Sequence, residues 1–186
     1  MSPVARRARR APAAAEAVHL STFDTPLGGM SLASTERGVV ACSLPGDATG
    51  RADPVRAFLA RRLPRAVVTE VTGRNAPWIA AVREFLAGRR RDLSDVPLDL
   101  RGTDFQRAVW TELRRVPYGA TISYGELAAR AGRPGAARAC GAANGSNPLP
   151  LFVPCHRTIG STGALVGFGG GLPLKRRLLA LERGEA

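Results

Sequence analysis

The chain has 186 residues, 45% of them hydrophobic, enough apolar material for one sizeable core or two small ones, and two are expected. No apolar run approaches the ~20 residues that a membrane-spanning helix requires, which excludes that class. The formal charge of +12 invites a polyanionic partner.

That charge is unevenly placed. Residues 1–10 contribute +4, residues 11–100 only +1 and residues 101–186 +7. Because Lys175 is the only lysine among 27 basic residues, part of the total reflects a preference for arginine, but the excess in the C-terminal half falls where a phosphate backbone would be held. Three cysteines, Cys42, Cys140 and Cys155, are too few and too scattered for a disulfide framework and point to a reducing, cytoplasmic compartment. The two histidines, His19 and His156, make no ligand-like spacing with them, so neither a metal nor another cofactor is expected.

Residues 1–16 carry Arg6, Arg7, Arg9 and Arg10 among alanines and prolines. Glu16 interrupts and no apolar h-region follows, which argues against a secretory signal. The stretch reads as a disordered basic tail, with a nucleic-acid-grazing arm and an organelle transit peptide as alternatives. From about residue 17 to 44, short apolar stretches separated by Pro26-Leu27-Gly28-Gly29 and Glu36-Arg37-Gly38 predict an antiparallel meander. A loop over Asp47 to Asp53, a helix over Pro54 to Arg62 and a strand over Ala66 to Val71 follow. A second helix begins with Pro77 at its first position and runs to about Leu86, with Trp78, Ile79, Val82 and Leu86 on one face. Residues 89–99 are polar and irregular. This gives an N-terminal α/β domain over 17–92, a linker over 93–101 and a C-terminal domain over 102–186.

The C-terminal part opens with Thr103-Asp104-Phe105-Gln106, a capping box, and its helix places Phe105, Val109, Trp110 and Leu113 on an apolar face. Pro117-Tyr118-Gly119 stops it. Ser123-Tyr124-Gly125-Glu126 repeats the capping pattern and starts a short helix to Ala131, closed by Gly132. After Arg133-Pro134-Gly135 a third helix runs from about Ala136 to Ala143, so that two short helices and a tight turn fit a helix-turn-helix. This third helix is nearly bare: Ala136, Ala137, Ala139, Gly141, Ala142 and Ala143 surround a single charge, Arg138. It can pack closely against a core or lie in a nucleic-acid groove. A last helix carries Leu174, Leu178 and Leu181 on one side and Glu182, which is either a solvated helix-end carboxylate or a buried one.

Between these helices lies Leu151-Phe152-Val153-Pro154-Cys155-His156-Arg157-Thr158-Ile159. A cysteine followed by an imidazole and a guanidinium has both a base and a positive charge to favour thiolate, although four such residues alone fit a core cysteine beside a surface His-Arg pair equally well.

Pro154-Cys155-His156-Arg157, with Asn147-Pro148-Leu149-Pro150 before it and Gly163 through Gly171 after it, resembles the active-site region of the O6-alkylguanine-DNA alkyltransferases, the methylated-DNA-protein-cysteine methyltransferases. Ile122-Ser123-Tyr124 and Ala136-Ala137-Arg138-Ala139 stand at that family's distances, and the likeness runs from Gly102 to Glu182, more weakly to Asp24-Thr25-Pro26-Leu27-Gly28. The resemblance implies a ribonuclease-H-like α/β N-terminal domain and a mainly helical C-terminal domain with a winged-helix-like helix-turn-helix. It implies direct-reversal repair in which Cys155 irreversibly takes the alkyl group from O6-alkylguanine, and conceivably from O4-alkylthymine, in double-stranded DNA. Some family members hold a structural zinc, but no ligand set for it is visible in this sequence.

Residue by residue, the resemblance makes Cys155 the nucleophile, His156 its base through a water, and Glu182 the group that orients His156. The third helix would enter the minor groove through Ala136, Ala137, Ala139 and Gly141, with Arg138 filling the space of the extruded nucleotide. Tyr124 would crowd the flipped nucleotide's phosphate and donate a proton to guanine N3. Asn147 would tie its turn to the active-site segment, Pro150 would wall the pocket, and the backbone of the 163–171 loop would approach O6. Without the resemblance, Tyr124, Asn147, Pro150 and that loop read as ordinary half-buried or turn residues. Three positions depart from the family's pattern: Thr158 replaces a branched apolar residue whose carbonyl meets the base, Phe168 replaces a tyrosine, and Gly169 replaces a serine. The expected partner is lesion-bearing duplex DNA, met by a monomer with side-by-side clustering on DNA left open. A non-catalytic lesion sensor and a cysteine hydrolase using Cys155, His156 and Glu182 are the competing classes.

Overall fold

The computed structural model describes residues 15–45 and 53–185. The arginine-rich stretch through residue 14, and residues 46–52 of the expected loop, lie outside the described residues. Strand β1 (Ala17–Thr25) pairs antiparallel with β2 (Gly28–Thr35), setting Leu20 against Ala33 and Phe23 against Met30, and β3 (Gly38–Cys42) continues the meander. Helix α1 (Pro54–Arg62) begins where the Asp53 carboxylate accepts the Val55 N–H. It carries the chain across to β4 (Val67–Glu70), which pairs parallel with β1. The sheet order is β3-β2-β1-β4. Helix α2 (Ala76–Leu86) follows.

Period-two alternation divides the sheet's side chains between its faces. Val18, Leu20, Ala33 and Val40 pack with Val55, Phe58 and Leu59 of α1 in one cluster. Phe23, Met30, Leu32 and Val39 face the other way and join Ile79, Val82 and Phe85 of α2. The same cluster continues into Val109, Trp110, Leu113, Leu127, Leu178 and Cys155. Two clusters were expected and two are found, but they divide along the faces of the sheet and not along the chain, because the second face is covered by the C-terminal helices.

The stretch expected as a linker is irregular yet firmly packed. The Val39 N–H donates to Pro97 O at 2.9 Å and the Asp99 N–H to Val39 O at 2.8 Å, so residues 97–99 extend the edge of β3. The Asp99 carboxylate, buried, accepts from Thr35 Oγ1 at 2.9 Å and from Arg37 and Arg101. Gly38 makes this possible: its φ is +130°, and a Cβ there would stand 2.2 Å from the Pro97 carbonyl oxygen.

Helix α3 (Asp104–Arg114) has the expected capping box, with Thr103 accepting from the Gln106 N–H and Gln106 accepting from the Thr103 N–H. Gln106 also donates to Ser146 Oγ at 2.8 Å, and Trp110 Nε1 donates to Ala143 O at 2.9 Å, fixing α3 to the end of α5 (Ala137–Gly145). Helix α4 (Tyr124–Arg130) has its own capping box between Ser123 and Glu126. Strand β5 (Ile122–Ser123) pairs parallel with β6 (Thr158–Ile159). Helix α6 (Gly171–Arg183) ends at Gly184 in the left-handed region. Its deepest face is Lys175, Leu178, Leu179 and Glu182, with Leu174 and Leu181 half-buried beside it. Among the described residues no helix is long and apolar enough to cross a membrane.

Candidate active site

The short β5–β6 pair is what brings the site together. Ser123 lies opposite Ile159 and Ile122 opposite Thr158, so the residue that follows β5, Tyr124, comes beside the turn that precedes β6. That turn is a single 3-10 turn, Cys155–Arg157, entered from Pro154. It is held from both sides. Asn147 Nδ2 donates to Val153 O at 2.8 Å while Asn147 Oδ1 accepts the Leu149 N–H at 3.0 Å, and the Cys155 N–H donates to Val153 O at 2.8 Å. Leu151 sits at φ 73°, the only non-glycine with positive φ among the described residues, so this approach to the cysteine carries backbone strain.

Cys155 lines a cavity of about 450 Å³ together with Tyr124, Gly141, Asn147, Pro150, Phe168 and Gly169. All seven had been singled out in the sequence. Burial pushes the Cys155 thiol up, against the pull of the Asn147 amide and the Lys175 charge, so the thiol needs a base to become a nucleophile.

The base candidate lies behind it. His156 is fully buried, and its Nε2 is 2.7 Å from Glu182 Oε1. Burial lowers the imidazole pKa, with the Glu182 hydrogen bond opposing, so the ring is neutral and donates Nε2–H to the carboxylate. Nδ1 is then a lone-pair acceptor with no partner among the described residues. Burial would raise Glu182, but hydrogen bonds from His156 and Arg157 outweigh it and bring it down to about 2. Arg157 Nε donates to Glu182 Oε2 at 2.9 Å and Nη2 donates to Oε1 at 2.9 Å, a two-pronged pairing that suits a planar guanidinium. Arg157 Nη1 donates to Val116 O at 2.6 Å. The Gly119 N–H supplies a further bond to Glu182 at 2.9 Å, from a turn at φ +77° where a Cβ would press on the Glu182 backbone.

Some expectations are redrawn. Arg157 does not offer its charge to the thiol, because Glu182 consumes it. The cation that acts on Cys155 is Lys175, which sequence reading passed over. Its ammonium is fully buried and donates to Thr158 O at 2.6 Å, Val166 O at 2.8 Å and, more weakly, Gly167 O at 3.5 Å. Thr158, expected against the base, is fully buried, does not line the cavity, and offers its carbonyl to Lys175. The spacing of Lys175 and Glu182, seven residues or two helical turns apart, was the available signal: one helix face presents a cation and an anion to the same segment.

Helix α5 answers both readings of its small residues, one on each side. Cys140, Ala143 and Asn144 are buried, while Arg138 and Ala139 are exposed and Ala136, Ala137 and Gly141 are partly so. Gly141 lies against Tyr124, where a Cβ would sit 3.8 Å from the ring. Arg138 is outside the cavity, one turn ahead of Gly141. The cavity also has a wall that sequence reading missed, made by Cys42, Leu44, Pro54 and Phe58 of the N-terminal part. Among the described residues no group of three or more His, Cys, Asp or Glu side chains could hold a metal ion.

Residues 104–184 match the family model described as 6-O-methylguanine DNA methyltransferase, DNA binding domain. A methylated-DNA–protein-cysteine methyltransferase of Mycobacterium tuberculosis is 44% identical over 169 residues, covering 91% of this chain and 94% of that protein. The chain belongs to the O6-methylguanine DNA methyltransferase family.

The inducible methylated-DNA–protein-cysteine methyltransferase of Bacillus subtilis is a more distant member of this family, 38% identical over 152 residues, with 82% of this chain and 83% of that one covered. A crystal structure of Mycobacterium tuberculosis OGT in complex with DNA superposes with a TM-score of 0.76 at 41% identity, covering 90% of this chain and 94% of that one. The methyltransferase fold of an N-terminal sheet followed by a helical C-terminal part is therefore shared.

Proposed function

We propose that this protein is a methylated-DNA–protein-cysteine methyltransferase that repairs O6-methylguanine in duplex DNA by taking the methyl group onto Cys155. The observation that carries the reading is a buried Glu182–His156 pair placed behind a cysteine that lines a cavity of about 450 Å³, in a chain whose relatives bear that name.

The O6 substituent of a stacked guanine cannot be approached in line by a protein nucleophile, so the nucleotide must leave the duplex, at a cost of a few kcal/mol that a poorly paired lesion reduces. Exposed Arg138 on α5 takes the vacated place from the minor-groove side, and the small residues Ala136, Ala137, Ala139 and Gly141 let the helix backbone approach. In the cavity, Cys155 Sγ bonds to the alkyl carbon as the bond from that carbon to O6 breaks. The thiol proton passes to His156 Nδ1, through a water as in the family, while Glu182 holds the ring and steadies its charged form. Tyr124 gives a proton to guanine N3, so the base departs neutral. A thioether has no easy leaving group, so each molecule acts once.

The N-terminal sheet is read as ribonuclease-H-like, supported by the parallel β1–β4 pair on an otherwise antiparallel meander. Helices α4 and α5, with the β5–β6 pair, are read as a winged-helix-like helix-turn-helix. The boundaries 17–92, 93–101 and 102–186 and a monomeric, cytoplasmic protein complete the reading, the last supported by three free buried thiols.

Incubation with a duplex containing O6-methylguanine, followed by intact-mass measurement, tests the assignment. One methyl on Cys155 and none on a Cys155→Ala chain is the expected result. Tight binding without an adduct would make the protein a lesion sensor, and turnover without an adduct would make it a hydrolase.

A further inference from the structure

Asn144 lies on α5 one turn beyond Gly141 and lines the cavity beside Tyr124 and Cys155. The residue is only 6% exposed, yet its side-chain oxygen has no hydrogen-bond partner among the described residues. Buried amide oxygens are nearly always paired, and one left bare is a standing cost that a bound donor relieves. The amide acts on the Tyr124 phenol as a donor, pulling its pKa down against the stronger upward push of burial. Its NH2 end therefore faces Tyr124, and its oxygen is left to the cavity.

The chemistry of the proposed substrate supplies one matching donor. Alkylation at O6 removes the N1 hydrogen of guanine, so the exocyclic 2-amino group becomes the only N–H donor on the base's pairing edge. The protein acceptor otherwise expected against the base, Thr158 O, receives the Lys175 ammonium at 2.6 Å and belongs to a residue that does not line the cavity.

We propose that Asn144 Oδ1 accepts a hydrogen bond from the 2-amino group of the flipped base, which makes Asn144 a specificity-determining residue that selects 2-amino-bearing purine lesions. The proposal rests on the alkyltransferase reading and adds a residue to its substrate site. It also gives the site a means of refusing an O6-alkylated purine without that amine, because the Asn144 oxygen would then stay buried and bare.

The test is a double comparison. Single-turnover methyl transfer to Cys155 is timed for the wild type and for Asn144→Ala on two duplexes, one with O6-methylguanine and one with O6-methylhypoxanthine, which lacks only the 2-amino group. The wild-type preference divided by the variant preference cancels any difference in how readily the two bases leave the duplex. That quotient is expected to be about ten, the worth of one hydrogen bond at a buried group. Asn144→Leu, closer in bulk, is measured in the same way, so that a folding defect in one variant does not decide the matter. A quotient near one would overturn the assignment of Asn144 while leaving the alkyltransferase reading intact. That reading fails separately, if wild-type Cys155 gains no methyl from O6-methylguanine.

Discussion

His156 Nε2 and Glu182 Oε1 stand 2.7 Å apart, and neither side chain touches solvent. A carboxylate in that position fixes the ring tautomer with Nδ1 free to accept a proton, and it lowers the cost of charging a buried imidazole. Arg157 pairs with the same carboxylate, so removing the charge strands two groups at once.

Glu182→Gln is therefore expected to slow methyl transfer to Cys155 by about a hundredfold and to destabilise the fold by about 3 kcal/mol, because Arg157 remains buried without its counter-ion. Single-turnover rates and urea midpoints measure the two effects separately.

Acid should unfold the protein through the same pair. Glu182 is held at about 2 against an unperturbed value of 4.5, so its contribution is fully present above about pH 4.5 and is lost as pH falls towards 2. A shift of that size corresponds to a few kcal/mol. His156 is lowered from 6.5, so the unfolded chain takes up a proton first and stability falls as pH drops below about 6.5. Both act in one direction. Denaturation midpoints should fall steadily from pH 7 to pH 3, and Glu182→Gln should flatten the acid part of the curve below pH 4.5.

Arg138 is exposed on α5 and outside the cavity, which separates its role from the chemistry. Arg138→Ala is expected to slow repair of a lesion in duplex DNA at least tenfold while leaving the reaction of Cys155 with the free O6-methylguanine base within about twofold, as timed by intact mass on each substrate.

Lys175 is the only lysine in the chain and is fully buried. Its ammonium joins Thr158 O to Val166 O, which pins the loop carrying Phe168 and Gly169. Lys175→Met removes the donors and leaves those carbonyls bare, an expected loss of about 2 kcal/mol. Lys175→Arg should not restore it, because a planar guanidinium cannot aim at carbonyls arranged around a compact ammonium. Thermal midpoints and hydrogen exchange at Val166 to Gly169 measure the outcome.

Gly38→Ala should destabilise by about 2 kcal/mol or more, since the new Cβ would meet Pro97 O at 2.2 Å at a φ of +130°. Hydrogen exchange should rise first at Val39 and Asp99, whose N–H groups hold the two segments together.

Local rules were legible where a few neighbouring residues decide the outcome. The two capping boxes place the starts of α3 and α4 at Thr103 and Ser123, and Pro54 marks the start of α1. Helix α5 ran two residues beyond its expected end, to Gly145, because Trp110 and Gln106 hold its last turn, and such contacts have no local signature. Strand β4 is wholly exposed, and its partner, β1, lies some fifty residues earlier in the chain, so its parallel direction could not be read from its own four residues.

Sequence by itself determined the order of the chemistry: a cysteine, a histidine and an arginine after a proline, a tyrosine after a capping serine, and a lone arginine on a helix of small residues. Tertiary structure alone decided which charge serves which group. It turned Arg157 away from the thiol to Glu182, buried Glu182 rather than leaving it in solvent, sank Lys175 among carbonyls, and left Asn144 with an unanswered acceptor. The physical reason is that burial and pairing are properties of side chains from distant segments meeting in one place, and a carboxylate or amide carries no mark in the sequence of what it will meet there.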